Sequence, residues 1–225
     1  MVTVYHSPRL QRQLRADAQA AEIIYLENAV LKEWVDDFVI AHQLDDSIWI
    51  FGYGSLIWNP QLDYSRKMII DLPRLQRKFC IYLSIAYGTK ENPGLMLSIE
   101  GKKQAMCTGI ADKIEREKVR QELFRYWQRE MRFGNYIPVV FSYQQHNEIM
   151  RIITVIANKD SPYYVNNLNI WQQAQTIASG KGIFGNNRDY LNNLVQNLRK
   201  YNIKDSYLSK LEQAVNKKLV ESMEK

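Results

Sequence analysis

The stretch SIWIFGYGSLIWNP, from Ser47 to Pro60, decides the fold. Its first half is a short apolar run rich in β-forming residues, and it stops at Gly52 and Gly54. This pattern predicts a buried strand that ends in a tight turn. Glycines in such a turn let consecutive N–H groups face one point, where they bind a carboxylate or an oxyanion. An ordinary strand-ending turn would leave the same pattern, so the glycines alone do not decide between the two.

Two familiar glycine motifs do not fit this turn. A dinucleotide-binding fingerprint needs a third glycine where the chain has Ile57. A nucleophile elbow needs G-x-S-x-G, and Ser55 does not stand in that frame. We therefore expect Ser55 to contact a ligand rather than to act as a nucleophile.

Outward from this stretch, the middle of the chain is rich in strand patterns and both ends are rich in helix patterns. A helix is predicted from Glu115 to Arg132, and further helices after Tyr164, Asn186 and Lys204. The pattern favours an α+β fold with a mostly antiparallel sheet or a small barrel. The predicted strands are 78–84, 95–100, 107–114, 138–143 and 150–156, the last two joined in a hairpin around 145–147.

Residues 1–46 are predicted to form a helical arm in front of a catalytic domain at residues 47–225. From Arg9 to about Gln43 the spacing of Ile24, Leu31, Val35 and Phe38 is typical of one amphipathic helix. We expect this stripe to pack against the core or a partner chain. A monomer is the expected oligomeric state.

Glu130 is the candidate proton-transferring residue. It lies three residues after Trp127, four after Tyr126 and seven after Leu123, which places it on the apolar face of the predicted helix. Burial and the negative end of a helix both raise the pKa of a carboxyl group, as a general base near neutral pH requires. The alternative is a structural ion pair with Arg129 or Arg132.

Composition narrows the function classes. The chain has 225 residues, a net charge of +6 and a pI near 9.2, but its basic residues are scattered among acidic ones, so nucleic acid is not an expected partner. No apolar run is long enough to span a membrane, and no secretory signal is recognisable, so we expect a cytoplasmic protein. Three isolated histidines give no metal site, and Cys80 and Cys107 read as buried, reduced thiols.

Six segments, taken together and in order, carry a resemblance to a known family: FGYGSLIWNP, PRLQRKFCIYLS, GTKENPGLMLSIEG, CTGIADKI, WQREMRFGNYIP and GNNRDYL. They resemble the ChaC family of γ-glutamylcyclotransferases. The resemblance covers about Ile48 to Leu211. It implies a small mixed β-barrel with flanking helices, glutathione as the substrate, 5-oxoproline and cysteinyl-glycine as the products, and no cofactor.

The resemblance also assigns site residues. Glu130 corresponds to the family's catalytic glutamate, and Tyr190 looks like its pocket tyrosine. We add Tyr136, which follows the glycine after Glu130, as a pocket wall. The turn residues expected to hold the γ-glutamyl group are Gly52, Tyr53, Gly54, Ser55 and Leu56.

One departure from the family pattern concerns the far end of the substrate. Many members have arginine before the Gly-Thr loop, where this chain has Tyr87. Two alternatives therefore stay open: a cyclotransferase that acts on other γ-glutamyl amines or amino acids, and a binder of γ-glutamyl ligands without turnover.

Overall fold

The computed structural model describes residues 7–145 and 148–223, and it has the predicted α+β architecture. Its centre is a five-stranded mixed sheet with the order β2-β3-β1-β5-β4. The strands are β1 (Ile48–Gly52), β2 (Arg66–Leu83), β3 (Gly94–Ile114), β4 (Tyr136–Gln145) and β5 (Glu148–Ala157). A separate two-stranded ribbon joins β6 (Lys181–Gly182) to β7 (Gly185–Asn186).

The SIWIF segment forms the central strand of the sheet. β1 pairs antiparallel with β3, with Ile48 opposite Ile114, and parallel with β5, with Ile50 opposite Ile153. All five residues of β1 are buried, as expected for a strand covered on both faces. The β4–β5 hairpin is antiparallel from Tyr136 to Gln145, as predicted, and the predicted turn residues 146 and 147 lie outside the described part of the chain.

The strand bounds differ from the sequence prediction in the β2–β3 ribbon. The predicted strands 95–100 and 107–114 are one strand, and the predicted strand 78–84 is the end of the long strand β2. The segment between the predicted strands begins with four exposed residues, Gly101 to Gln104, which resemble a loop in the sequence. They nevertheless stay in the ribbon, which shifts register between Pro73 and Leu75.

The sheet curls strongly. The Tyr136 hydroxyl of β4 donates a hydrogen bond to the Leu97 carbonyl of β3, 3.0 Å away. In a flat sheet two intervening strands would separate β4 from β3 by roughly 14 Å, which a tyrosine side chain does not span. The curved sheet resembles a barrel, although no ladder joins β2 to β4 within the described residues.

In the described part of the chain, six helices surround the sheet: α1 (Pro8–Ala20), α2 (Asn28–Ala41), α3 (Val119–Glu130), α4 (Ile170–Ser179), α5 (Asn187–Lys200) and α6 (Ser206–Met223). The helix predicted from Glu115 to Arg132 is shorter as an α-helix, because Arg116 to Lys118 form a 3₁₀ turn ahead of α3. The apolar face of α3 is buried as its spacing predicts, and Glu130 is its last residue.

The arm is two helices instead of the predicted single helix. The chain breaks after α1, where Glu22 adopts a left-handed conformation with φ of 57°. Leu31 and Phe38 of α2 are buried in the main core, but Ile24 lies in the connection and is 59% exposed, so its predicted place in the stripe is wrong. The division of the chain at residue 46 stays a prediction.

Two further features bear on the classes of function. Cys80 and Cys107 are free and buried, as predicted. No helix in the part of the chain that the structure describes is both long and apolar enough to cross a membrane.

Candidate active site

The glycine turn is folded tightly at the end of β1. A Cβ atom on Gly52 would lie only 2.7 Å from the Leu56 Cβ, so a larger residue does not fit there. The chain then forms a single 3₁₀ turn from Ser55 to Ile57. The buried guanidinium of Arg77 holds the turn in place, since its Nε donates to the Tyr53 carbonyl at 2.8 Å.

Arg77 also ties this turn to distant parts of the fold. Its remaining nitrogens donate to the Thr108 carbonyl at 2.6 Å and to an oxygen of Asp205 at 3.2 Å. Asp205 immediately precedes α6, and Thr108 belongs to β3. A buried arginine with three acceptors is held rigidly, so the Tyr53 carbonyl has a fixed position.

A pocket opens beside the turn, between the end of α3, the start of β4 and the start of α5. Of the residues predicted for the site, seven line it: Tyr53, Gly54, Ser55, Leu56, Glu130, Tyr136 and Tyr190. Gly52 does not line it and instead allows the close packing of the turn. Residues far apart in the sequence therefore meet at one cavity.

Glu130 faces this pocket and not bulk solvent. Its side chain is 19% exposed, and Glu130 is among the residues that line the cavity. Burial raises the pKa of Glu130, and the neighbouring Arg129 guanidinium opposes that rise. A carboxyl with a raised pKa exchanges protons more readily near neutral pH than an exposed one.

Arg129 connects Glu130 to the glycine turn. Its Nε lies 3.0 Å from Glu130 Oε1, and another nitrogen donates to the Ser55 hydroxyl at 2.6 Å. A third nitrogen donates to the carbonyls of Asn59 and Pro60. The structural ion pair that the sequence left open as an alternative is therefore present, and it lies inside the pocket.

Three tyrosines that line the pocket with Glu130 carry neutral hydroxyl groups. Tyr53, Tyr126 and Tyr136 are all deeply placed, and burial is the main cause that raises the pKa of each phenol, with the nearby Glu130 carboxylate acting in the same direction. They stay protonated at neutral pH. Glu130 is the only carboxyl among the described residues that line the pocket.

An aromatic wall runs from the turn toward the pocket's other side. The Tyr190 hydroxyl lies next to Gly54, where a Cβ atom would approach it to 2.9 Å. The Tyr190 ring is 5.3 Å from that of Tyr87, which is 5.5 Å from that of Phe184. Met96 and Phe133 complete this wall. Its side chains carry no charge.

Sequence reasoning did not assign several pocket residues. Arg129 was considered only as a partner for Glu130, and Tyr126 only as part of a helix face, although both line the cavity. The spacing of four residues between Tyr126 and Glu130, which places them on one helix face, is the signal that could have assigned Tyr126 to the pocket. Phe133 and Phe184 lie in irregular segments, where no periodicity marks them.

The arrangement suits proton transfer at a bound polar group. Ser55 accepts a hydrogen bond from Arg129, and no histidine or cysteine lines the pocket among the described residues. That part of the chain also has no cluster of three or more His, Cys, Asp or Glu side chains able to hold a metal ion.

Comparison with known proteins agrees with this geometry. The family model described as ChaC-like protein matches residues 48–218. A glutathione-specific γ-glutamylcyclotransferase of Escherichia coli (strain K12) is 35% identical over 176 residues, which are 78% of this chain and 75% of that protein. Gamma-glutamylcyclotransferase 2-1 of Arabidopsis thaliana is 31% identical, over 76% of this chain and 83% of that protein.

A solved structure shares the fold. The γ-glutamylcyclotransferase specific to glutathione from yeast superposes with a TM-score of 0.68 at 20% identity, covering 76% of this chain and 96% of that one. The family match begins at Ile48, the first residue of β1, and includes the turn, Glu130 and Tyr190. This chain belongs to the ChaC-like family.

Proposed function

We propose that this protein degrades glutathione by closing its γ-glutamyl group into 5-oxoproline and releasing cysteinyl-glycine. The observation that carries the proposal is the position of Glu130: a carboxyl with a raised pKa, in a pocket, joined through Arg129 to the glycine turn. The E. coli relative, whose name specifies glutathione, supports the choice of substrate.

In this reaction the substrate supplies its own nucleophile. The α-amino nitrogen of the γ-glutamyl group attacks the γ-carbonyl carbon, and a five-membered ring forms. The bond from that carbon to the cysteinyl nitrogen then breaks. The reaction therefore needs no serine or cysteine nucleophile from the protein.

Glu130 would carry the proton between the two nitrogens. At neutral pH the α-amino group is an ammonium ion, which cannot attack until a base removes a proton. The Glu130 carboxylate takes that proton, and the attacking nitrogen gives up a second proton as it becomes the lactam N–H. Both protons pass to the departing cysteinyl nitrogen, which leaves as an ammonium group. No proton is gained or lost overall, and the carboxylate is regenerated.

The glycine turn would bind the substrate's oxygens. N–H groups at the start of a helical turn have no partner within it, so those of the Gly54–Leu56 segment suit a carboxylate or the tetrahedral oxyanion. One such donor contributes about 3 to 4 kcal/mol to the stability of a transition state. Holding the substrate bent adds more, since oriented intramolecular reactions gain roughly 7 to 11 kcal/mol.

The test is product formation by the purified protein. Incubation with glutathione should yield 5-oxoproline and cysteinyl-glycine in equal amounts. The Glu130→Gln variant should remain folded, as judged by its melting temperature, and form no product. The matched control is Glu117→Gln, an exposed glutamate on the turn that precedes α3, which should act like wild type.

Two outcomes would contradict the proposal. Absence of product from the wild-type protein would remove the activity and favour a binder without turnover. Substantial turnover by Glu130→Gln would remove Glu130 from the mechanism.

The uncharged wall around Tyr87 favours a second candidate function, that of a cyclotransferase for other γ-glutamyl amines. The arginine that many family members have is replaced there by an aromatic ring. A parallel assay with γ-glutamyl-alanine separates the two. A higher kcat/KM for γ-glutamyl-alanine than for glutathione would favour this second candidate.

A further inference from the structure

We infer that the amino-terminal segment from Pro8 to Asn28 is a positioning element of the pocket, which holds the wall against which the leaving amine of the substrate lies. This segment precedes the family match, which begins at residue 48. The inference rests on the proposed function and adds to it a determinant of substrate affinity outside the matched region.

The first support is a two-way clamp between the arm and the end of α3. The Leu26 amide donates to the Arg132 carbonyl at 2.9 Å, and the Arg132 guanidinium donates back to the Leu26 carbonyl at 2.6 Å. The same guanidinium donates to Asn28 Oδ1 at 2.8 Å. Arg132 is only 1% exposed, so these charge-assisted bonds are shielded from water and fix the backbone two residues after Glu130.

The second support is the ring of Tyr25. The guanidinium carbon of Arg132 lies 5.0 Å from the centre of this ring, in a cation–π contact. Phe133, which lines the pocket, packs edge-on against the same ring with centroids 6.1 Å apart. The Tyr25 hydroxyl donates to the side chain of Gln11 at 2.8 Å, which anchors the ring to α1. Tyr25 therefore joins α1 to a residue of the pocket wall.

The third support is a hydrophobic cluster shared by the arm and the wall. Ala18 and Ile23 of the arm belong to a cluster separate from that formed by most of the buried core. Its other members include six residues that line the pocket: Leu83, Ala86, Tyr87, Met96, Phe133 and Phe184. Most residues of the uncharged wall therefore pack in the same hydrophobic cluster as residues of the arm.

The wall lies beyond the residues assigned to the γ-glutamyl group. The Tyr190 hydroxyl lies next to Gly54, and Arg129 donates a hydrogen bond to the Ser55 hydroxyl. Arg77 holds the same end of the pocket through its hydrogen bond to the turn. None of these contacts involves a residue of the arm. From Tyr190 the aromatic contacts lead to Tyr87 and then to Phe184. A substrate with its γ-glutamyl group at the turn would extend its remaining part along this wall.

A loosened wall should weaken substrate binding with little effect on the chemical step. The wall contacts the leaving part of the substrate, away from the carbonyl carbon that is attacked. These contacts therefore stabilise the bound ground state and the transition state to a similar extent. Losing such uniform binding raises KM and leaves kcat nearly unchanged. Damage to Glu130 or to the turn would instead lower kcat.

The experiment compares three variants of the full chain in the glutathione assay. Tyr25→Ala removes the ring contacts with Arg132 and Phe133, and we expect its KM to rise about fivefold or more while kcat stays within about twofold of wild type. Tyr25→Phe keeps the ring and loses only the hydrogen bond to Gln11, so its KM should lie between those of wild type and Tyr25→Ala. Ile24→Ala, at the neighbouring position that is 59% exposed, is the matched control and should leave both constants unchanged.

Three results would overturn the inference: an unchanged KM in folded Tyr25→Ala, a loss expressed in kcat alone, or a KM for Tyr25→Phe as high as that for Tyr25→Ala. Should Tyr25→Ala be unfolded at the assay temperature, Tyr25→Leu is read by the same criteria, because it fills the space without an aromatic face. Failure of the wild-type protein to turn over glutathione overturns the proposed function and is seen before any variant is compared.

Discussion

Arg129 shows how much one side chain can organise in this site. Its guanidinium contacts the Glu130 carboxylate, the Ser55 hydroxyl and two carbonyls that follow the glycine turn. The planar, forked shape of arginine allows several such contacts at once, which lysine does not match. Arg129 thereby sets both the direction of the carboxylate and the distance between α3 and the turn.

Replacing Arg129 by glutamine should shift the pH dependence of the reaction. The guanidinium opposes the rise in the pKa of Glu130 that burial causes, so without it this pKa rises further. Glu130 must be ionised to accept a proton, and the acid limb of kcat/KM therefore moves to higher pH. The loss of charged hydrogen bonds should also reduce the free energy of unfolding by about 1.5 to 3 kcal/mol.

The pH profile of glutathione turnover and urea unfolding measure the two effects. Arg120→Gln is the control, since Arg120 lies on the same helix, is half exposed and pairs with Asp36 far from the pocket. An acid limb at the wild-type position in Arg129→Gln would show that this cation does not set the ionisation of Glu130.

The burial of Asp112 predicts that the stability of the folded protein also depends on pH. It is 2% exposed, and burial raises its pKa from 3.8 to about 6 despite the partly exposed Lys67 nearby. Between those pH values the native state holds a proton that the unfolded chain releases, so stability falls as pH rises through this window. The shift of about two units corresponds to at most about 3 kcal/mol.

Asp112→Asn should remove that loss. We expect the variant to gain stability over wild type above about pH 7 and to lose this advantage below about pH 4. Urea unfolding at both pH values measures it, with the exposed Asp45→Asn as the control. An equal difference between Asp112→Asn and wild type at both pH values would exclude ionisation of Asp112 as the cause.

The residues of the site were partly readable from the sequence. Helical spacing from Leu123, Tyr126 and Trp127 places Glu130 on the inner face of α3, and Glu130 does line the pocket. Helical spacing does not explain why the side chain of Arg129, the residue before Glu130, points toward Ser55. That direction depends on where the turn packs, which is a tertiary contact between residues 74 positions apart.

At the scale of single elements, β3 supports the glycine turn from the side. Gly109 of β3 lies directly against the end of β1, where an added Cβ atom would come within 2.5 Å of the Phe51 ring and 2.6 Å of the Gly52 carbonyl. The ring could shift only by disturbing a fully buried position. The backbone of β1 cannot yield without moving the turn.

Gly109→Ala should therefore destabilise the protein by about 1 to 3 kcal/mol, the usual cost of overpacking. It should also lower kcat/KM, because the turn follows Gly52 directly. Gly101→Ala is a control on the same strand, since its Cβ would meet nothing within 4 Å, and it should stay within about 0.5 kcal/mol of wild type. Urea unfolding and the glutathione assay provide the readouts, and equal effects of the two substitutions would contradict the assignment.

Prediction of the elements succeeded where burial is periodic and was less accurate where it is not. β1 and the apolar face of α3 follow their patterns, since both pack against the core along their whole length. β3 was divided in two because its middle is polar and exposed, although backbone pairing with β2 continues beyond it. The break at Glu22 lacks the glycine that usually marks such a conformation.

For the molecule as a whole, α2 belongs to the same core as the sheet. Leu31, Val35 and Phe38 join the largest hydrophobic cluster, and the Phe38 ring packs edge-on against Trp127 of α3, 5.2 Å away. Part of the predicted arm is therefore built into the structure that carries Glu130. An element packed in this way should unfold together with the rest.

Phe38→Ala should reduce the free energy of unfolding by about 3 to 5 kcal/mol, as is usual for a buried phenylalanine. The transition should remain single, with circular dichroism and tryptophan fluorescence changing together. Ile40→Ala, on the exposed side of the same helix at 68% exposure, should have little effect. Two separate transitions would show that residues 1–46 fold as an independent unit.

The two buried cysteines have a consequence for a protein that handles a thiol compound. Cys80 and Cys107 are at most 1% exposed, and burial raises the pKa of Cys80 to about 12 and that of Cys107 above its usual range. Only an accessible thiolate exchanges with a disulfide. Mixed disulfides with oxidised glutathione are therefore blocked at both sites, so oxidative stress would act on this protein through the supply of its proposed substrate and not through glutathionylation of its own side chains.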